Sequence, residues 1–452
     1  MKAATSLISK LIFLPFLFII SCSAMDEGEI QPNIIVILAD DLGYRDVGYM
    51  GGTVIPTPFI DAIAENGVWF TNGYSTCPVC APGRAGFLTG RYQNRFGFED
   101  NPGPWRRSEE TIPGIPLREK IMSEYFHEWG YQTAIIGKWH EENVSIRNPI
   151  NRGFDEFFGF INGASGYFIK DNSRGRLLRG ETPVEKEDEY LTDAFGREAV
   201  SFIERNKDNP FLLYVPFNSP HGPLQAPEEY IAKFQHIENE RQRALAAMIY
   251  SLDENVGRIT SKISELGLEE NTIIFFYSDN GGVFNLSDNL PLRSGKQDIY
   301  EGGIRVPFCV QWKGHLPENK RNDSPVISLD ILPTAIAATG RSVDREWFMD
   351  GVNLLPYITG EKQGDPHEFL YWRFLWHHAL RKGDWKLLKH RDHPEDELYN
   401  LAEDIGEQND LSKQHPEILK ELQELYTEMS DEMMDPQWGW QQEYSGDYKQ
   451  ER

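Results

Sequence analysis

Cys80-Ala81-Pro82-Gly83-Arg84, followed by Leu88-Thr89-Gly90-Arg91, sets a thiol two residues before a proline and four before an arginine. Pro82 suits the first turn of a helix, where its missing N–H removes no hydrogen bond. In such a helix Arg84 returns to the face of position 80, and Gly90 can end it. A nucleophile at a helix N-terminus beside an arginine is a place for an anion. Cys77-Pro78-Val79-Cys80 is also a C-x-x-C, the spacing of a redox pair or of half a zinc site. The only other cysteines are Cys22 and Cys309, too few and too scattered for a four-thiolate zinc site.

Four apolar, β-rich runs end on polar residues. Ile34–Ala39 runs into Asp40-Asp41, and Ala134–Gly137 into Lys138-Trp139-His140. Phe211–Pro216 runs into Asn218-Ser219-Pro220-His221, and Ile273–Ser278 into Asp279-Asn280-Gly281-Gly282. In open α/β sheets ligands bind outside the carboxyl ends of the strands. Taken singly, Asp40-Asp41 reads equally as a helix N-cap pair, Asp279-Asn280 as a turn, and either histidine as structural. Their repetition at four equivalent strand ends favours a site. Two adjacent buried carboxylates call for a cation or a basic partner. Asp40, Asp41, Asp279 and Asn280 offer hard oxygens, which suit Ca²⁺ or Mg²⁺ better than zinc. Arg84, Lys138, His140, His221 and Lys296 would form the cationic side.

The Cys80 segment resembles the signature of the formylglycine-dependent sulfatases of the alkaline phosphatase superfamily. Gly137–His140, Ser219–His221, Gly295-Lys296, Tyr300–Pro307 and Arg152–Gly159 resemble further segments of that family, in its order, over roughly residues 30–410. The resemblance is to bacterial carbohydrate sulfatases in particular. It implies that a maturation enzyme oxidises Cys80 to formylglycine, whose hydrate attacks sulfur. It implies Ca²⁺ held by Asp40, Asp41, Asp279, Asn280 and the modified Cys80, with Arg84 orienting the hydrate. Lys138, His221 and Lys296 would hold the sulfate. His221, with Lys296, would protonate the departing sugar oxygen, and His140 would take the proton that frees inorganic sulfate. These roles meet what a sulfate monoester requires: a nucleophile, charge neutralisation and an acid for the leaving alkoxide. Two positions depart from the family pattern. Gly83 stands where Ser is commonest, and after Phe158-Gly159 only Asn162 or Ser165 offers the polar group that helps bind sulfate in some members.

The elements that must carry these residues alternate short apolar strands with helices, the α/β signature. Strands are expected at Asn33–Leu38, Thr133–Ile136, Phe211–Val215 and Thr272–Tyr277, each apolar enough to be covered on both faces. A helix is expected from about Arg241 to Leu266, ended by Gly267. The resulting class is a large mixed, mostly parallel sheet sandwiched by helices, alkaline phosphatase-like. After Gly340 the texture changes to short alternating segments and a helix near Glu417–Met429, with Ile418, Leu422, Leu425 and Tyr426 on one side. This predicts a smaller C-terminal α+β subdomain with an antiparallel sheet. Residues 28–350 are expected to form the catalytic domain and 351–452 the subdomain, which would help build the substrate cleft. Trp105, Arg106 and Arg107, with Trp372, Arg373, Trp376, His377, His378, Arg381 and Lys382, are aromatic and basic residues suited to a sulfated oligo- or polysaccharide.

The 452 residues carry a formal charge of −25 with no Lys/Arg-rich tract, which excludes nucleic acid as a partner. An anionic polymer must therefore meet a locally basic cleft. Lys2 and Lys10 precede an apolar run from Leu11 to Ile20 that is too short to span a bilayer comfortably. Ile19-Ile20-Ser21-Cys22 resembles the bacterial lipoprotein box, so residues 1–21 read as a signal peptide and Cys22 as a lipid anchor. That places the protein at the outer membrane, in the periplasm or on the cell surface; the alternative is cleavage and secretion. The function expected is sulfate removal from an algal or host polysaccharide. Its rivals are a phosphatase or phosphonate hydrolase of the same superfamily and a non-catalytic sugar-binding lipoprotein.

Overall fold

Ile34–Ala39 is apolar at every position, so a strand formed there must be covered on both faces. In the computed structural model Asn33–Ala39 is such a strand, buried throughout. Ile34, Val36 and Leu38 pack into one apolar layer, and Ile35, Ile37 and Ala39 into the other. Each fully buried Ile, Leu or Val contributes roughly 1.5–3 kcal/mol relative to exposure. The structure describes residues 31–102, 113–141, 145–169 and 176–438. Residues 1–21, expected as a signal peptide, Cys22 and the Trp105–Arg107 cluster lie outside the described residues.

The other three expected strands become Gln132–Lys138, Phe211–Pro216 and Thr272–Ser278, each extending to the polar residues that follow. With Asn33–Ala39 and Glu156–Phe160 they form five contiguous parallel strands, in the order 272–278, 33–39, 211–216, 132–138, 156–160. The ten-stranded sheet is completed on one side by Phe308–Gln311, antiparallel to Thr272–Ser278, then Val68–Phe70 and Lys320–Asn322. Leu178–Arg179 and Thr182–Pro183 complete the other side. The four polar strand ends therefore share one edge at the sheet centre.

Helices cover both faces. Leu191–Asn206 and the 26-residue Glu240–Glu265 supply one layer, the latter started by the Asn239 side chain, which accepts from the N–H groups of Arg241 and Gln242. Cys80–Thr89, Met122–Glu128 and Ile331–Ala338 supply the other. The C-terminal unit is a four-stranded antiparallel sheet, Leu370–Phe374, His377–Lys382, Trp385–Lys389 and Glu397–Asn400. The helix Pro416–Asp431 covers it, with Ile418, Leu422, Leu425 and Tyr426 against Leu380, Leu387 and Leu398, the face the spacing predicts. Among the described residues no helix is long and apolar enough to cross a membrane.

Candidate active site

The helix Cys80–Thr89 begins at the thiol itself, with Gly90 in the left-handed region just beyond its last turn. Asn101 Oδ1 accepts from the Ala81 N–H at 2.9 Å, satisfying one of the donors a helix start leaves free. The helix is buried along its whole length, so Arg84 cannot reach water and must be paired. Its Nε and Nη2 donate to Asp279 Oδ2 at 2.9 and 2.7 Å, and Nη1 to the Lys138 carbonyl at 3.0 Å. One residue thereby joins the signature helix to two of the strand ends.

Around the thiol, Cys80 Sγ lies 3.3 Å from Asp40 Oδ1 and 3.9 Å from Asp41 Oδ1. Lys138 Nζ donates to Asp40 Oδ2 at 2.6 Å. Lys296 Nζ donates to Asp41 Oδ2 at 2.8 Å and stands 3.4 Å from Cys80 Sγ. Asn280 Nδ2 donates to Asp41 Oδ1 at 2.9 Å. His221 Nε2 is 3.8 Å from Asp41 Oδ2, while Nδ1 donates to the Gly222 carbonyl at 2.7 Å. His140 is 7% exposed, and its Nδ1 has no partner. The residues expected as nucleophile, metal ligands and cationic side are brought to one place. Asp41 and His140 sit at φ +69° and +58°, left-handed backbone that a non-glycine residue adopts only under constraint.

The charges balance in number: Asp40, Asp41 and Asp279 face Arg84, Lys138 and Lys296. Burial opposes ionisation of Asp40, but Lys138, His221, Arg84 and Lys296 overcome it and hold its carboxyl well below the usual range. Burial and the Asp40 charge push Asp279 up to about 6, against Arg84 and Lys138. Burial drives the His140 imidazolium well down, reinforced by Lys138 and Arg84, so the ring is neutral at pH 7. Burial also lowers His221, although Asp40 opposes it. Burial opposes the charge on Lys296, but Asp41 raises its pKa and keeps it an ammonium.

Neither Cys77 nor Cys80 has the lowered pKa of a redox-active thiol. Cys77 and Cys80 are free and buried, and burial raises both, with Asp40 adding to the rise at Cys80. A reactive thiolate needs the opposite shift. Cys77 packs with Val79 and Phe374 as a small apolar residue.

The cluster could hold a metal ion. Asp40, Asp41, Cys80 and His221 present ligand atoms within 4.8 Å of one another. Asn280 Oδ1 is buried with no hydrogen-bond partner, a lone pair available to a metal. His221, read from sequence as a sulfate ligand, enters this range. Asp279 gives Oδ2 to the Arg84 fork, and its Oδ1 accepts from the Asp41 N–H at 3.3 Å and keeps a further lone pair.

Sequence reasoning missed several positioning residues. The Tyr167 hydroxyl lies 2.6 and 2.7 Å from the carbonyls of Asn218 and His221 and shares its one proton between them, fixing the loop that carries the imidazole. Gly163 lies so close to His140 that a Cβ there would be 2.3 Å from Nε2. Of the two polar residues after Gly159, Asn162 is exposed and Ser165 is buried and donates to the Gly166 carbonyl at 3.2 Å. Hydrophobic periodicity reports neither contact.

Beside Val79 and Gln297, neighbours of Cys80 and Lys296, opens a cleft of about 1090 Å³. Of the aromatic and basic residues expected to choose the sugar, Trp376, His377 and His378 line it. Arg373 does not; it pairs with buried Glu99. Trp372 is buried and donates to the Ser75 carbonyl at 2.8 Å, and Arg381 donates to Asn72 Oδ1 at 2.7 Å. Lys382 pairs with Glu421 at 2.8 Å. These four side chains join the C-terminal unit together or to segments of the N-terminal part of the chain.

Residues 32–341 match the family model described as Sulfatase. The chain belongs to the sulfatase family. It is a sulfuric ester hydrolase with the alkaline phosphatase-like fold of that family. Residues 294–435 match a second model, N-sulphoglucosamine sulphohydrolase, C-terminal. The sulfatase is 30% identical to the uncharacterized sulfatase YdeN of Escherichia coli (strain K12), over 90% of this chain and 86% of that one. It is 31% identical to the N-acetylgalactosamine-6-sulfatase of Homo sapiens, over 75% and 68%. Among solved structures, Ps i-CgsB superposes with a TM-score of 0.86 at 35% identity, covering 93% of this chain and 97% of that one. A second structure of Ps i-CgsB holds k-i-k-neocarrahexaose.

Proposed function

We propose that this sulfatase removes sulfate from a saccharide during breakdown of a sulfated polysaccharide. The observation that carries the reading is the cleft. It runs from Val79 and Gln297 to the half-exposed Trp376, with Lys389 and Arg391 on its wall, far larger than one sulfate needs. The likeness to Ps i-CgsB supports a galactan of the carrageenan kind; the likeness to N-acetylgalactosamine-6-sulfatases supports a glycosaminoglycan.

Cys80, oxidised to formylglycine by a maturation enzyme, would supply a hydrate hydroxyl to attack sulfur, and Sγ stands where that group would be. Asp40, Asp41, Asn280 and Asp279 would hold Ca²⁺, which when bound supplies positive charge opposite the sulfate oxygens. Lys138 and Lys296 bring fixed ammonium charges against the same oxygens. Held charged by Asp41, Lys296 is a weak proton donor, which leaves the acid role to His221. With Nδ1 committed to Gly222, His221 turns Nε2 to the cluster, and a bound anion favours its protonation. Nε2 then gives its proton to the departing sugar oxygen. Neutral His140, its Nδ1 unpartnered, accepts the proton whose removal releases inorganic sulfate.

Sulfate release, followed by ion chromatography, tests this on oligosaccharides of carrageenan, fucan, ulvan and glycosaminoglycans, beside an aryl sulfate and an aryl phosphate. Release from one saccharide class is expected, with Trp376→Ala raising KM for the oligosaccharide and leaving the aryl sulfate unchanged. After chelation, Ca²⁺ should restore activity better than Zn²⁺. Turnover of the aryl phosphate alone, or of no saccharide, would overturn the reading. Export as a lipoprotein belongs to the same proposal, and palmitate incorporation lost in Cys22→Ser tests it.

A further inference from the structure

Three side chains from separate segments meet on the wall of the cleft, apart from the sulfate centre. Asp298 lies on the loop just after Lys296, His377 opens the strand His377–Lys382, and His390 follows the strand Trp385–Lys389. Their ligand atoms lie within 4.8 Å of one another. We propose that Asp298, His377 and His390 form a second metal site, for a borderline divalent ion of the zinc class.

His377 is 6% exposed, and neither of its ring nitrogens has a hydrogen-bond partner. A buried imidazole with both nitrogens idle is costly unless a ligand takes one of them. Burial, helped by His390, pushes its pKa down to about 4, so the ring is neutral and offers a lone pair. His390 Nε2 stands 3.6 Å from Asp298 Oδ1. That is too long for a hydrogen bond, but it approaches the separation of roughly 3.4 Å between two ligands held at about 2.0–2.1 Å on a tetrahedral ion. The Asp298 carboxylate is already fixed: Ser294 donates to Oδ2 at 2.6 Å and the Ile299 N–H to Oδ1 at 2.7 Å. His390 Nδ1 accepts from the Asp392 N–H at 3.2 Å, with Asp392 Oδ2 at 3.5 Å. Metal binding at Nε2 would turn Nδ1 into a donor to that carboxylate, the outer partner that metal-bound histidines use. Two imidazoles and one carboxylate suit zinc, whereas the oxygen-rich cluster at Asp40 and Asp41 suits calcium. A metal here would tie the loop that carries Lys296 to the antiparallel sheet.

The test uses tag-free full-length protein, stripped of metal, supplied with excess Ca²⁺ and titrated with ZnCl₂. Calorimetry and elemental analysis should find one zinc per chain, with a rise in melting temperature. His377→Ala and His390→Gln should each lose that zinc, and His393→Ala, on the same wall, should keep it. Zinc-edge X-ray absorption on the wild type needs no variant: imidazole scattering without a sulfur shell supports the site. A sulfur shell at about 2.3 Å would place the ion on Cys80 and overturn the proposal. So would a wild type that takes up no zinc, including one whose His377→Ala variant loses only oligosaccharide binding. Zinc retained by both histidine variants would overturn it as well.

Discussion

Two clusters of buried charge stand in this sulfatase, one finished and one left open. Lys386 is fully buried between Glu301 and Glu407, at 2.9 and 2.8 Å, and also donates to the Ile299 carbonyl at 3.0 Å. Tyr74 donates to Glu301 Oε2 at 2.6 Å, Arg305 reaches the same oxygen at 3.2 Å, and the Glu301 N–H donates to Glu407 at 2.7 Å. Burial works against ionisation of Glu301, but Lys386 and Arg305 overcome it and hold its pKa at about 2. The cluster around Cys80 has the same ingredients and a different finish. It keeps Asn280 Oδ1 and His140 Nδ1 without partners and two residues in left-handed backbone. A fully satisfied network fixes a structure; one with vacant lone pairs is completed only when a ligand arrives.

The comparison is broken most sharply by removing one group from each cluster. Cys80→Ala should lower sulfate turnover by at least four orders of magnitude, about 5–6 kcal/mol of barrier, with little change in melting temperature. Kinetics on one sulfated substrate, beside a thermal melt, decide this; a destabilised protein would mean that Cys80 holds the fold. Lys386→Met should do the reverse. Two buried carboxylates left without their ammonium should cost about 3–5 kcal/mol in denaturant unfolding, while the folded fraction stays active. Unchanged stability would show that Glu301 and Glu407 adjust by taking up protons.

Gly83→Ala probes how the open cluster is supported. Its Cβ would lie 2.9 Å from the Asp279 carbonyl oxygen and 3.1 Å from Ser75 Oγ, which itself donates to that carbonyl. Overpacking there should cost about 1–3 kcal/mol and lower activity through Asp279. Wild-type stability and turnover would mean that the helix shifts freely. The smallest effect concerns Glu141, buried beside His140, whose pKa burial raises to about 8 against the pull of the Ile115 N–H and Arg147. The folded protein then holds a proton that the unfolded chain releases near pH 4.5. This contribution is present at low pH and is lost as pH rises from about 5 through 8, with a slope of at most about 1.4 kcal/mol per pH unit. Glu141→Gln should flatten that part of the stability–pH curve, and an unaltered slope would assign it elsewhere.

Much of this was legible in the sequence, for a physical reason. A parallel strand buried on both faces must be apolar, and the same strand must end where its polar residues can meet a ligand. Asn33–Ala39 with Asp40-Asp41, and Thr272–Ser278 with Asp279-Asn280, announce both facts in adjacent residues. The C-terminal sheet was legible from its alternation. Long-range partners were not. Nothing local to Arg373 says that Glu99 takes it from the cleft, and nothing near position 298 says that His377 and His390 arrive beside it. Those meetings depend on how the antiparallel sheet docks on the main one through Trp372, Arg381 and Lys386. Such docking is set by shape and by buried hydrogen bonds, which sequence spacing does not encode.

The most direct test is the mass of the Cys80-containing peptide, taken from protein produced in its native host and shown to release sulfate. The expected result is a peptide lighter than the cysteine form by the difference between a thiol and an aldehyde, trapped further by a carbonyl reagent. Sulfate-releasing protein whose Cys80 is an unmodified thiol throughout would contradict the proposal that this position supplies the nucleophile.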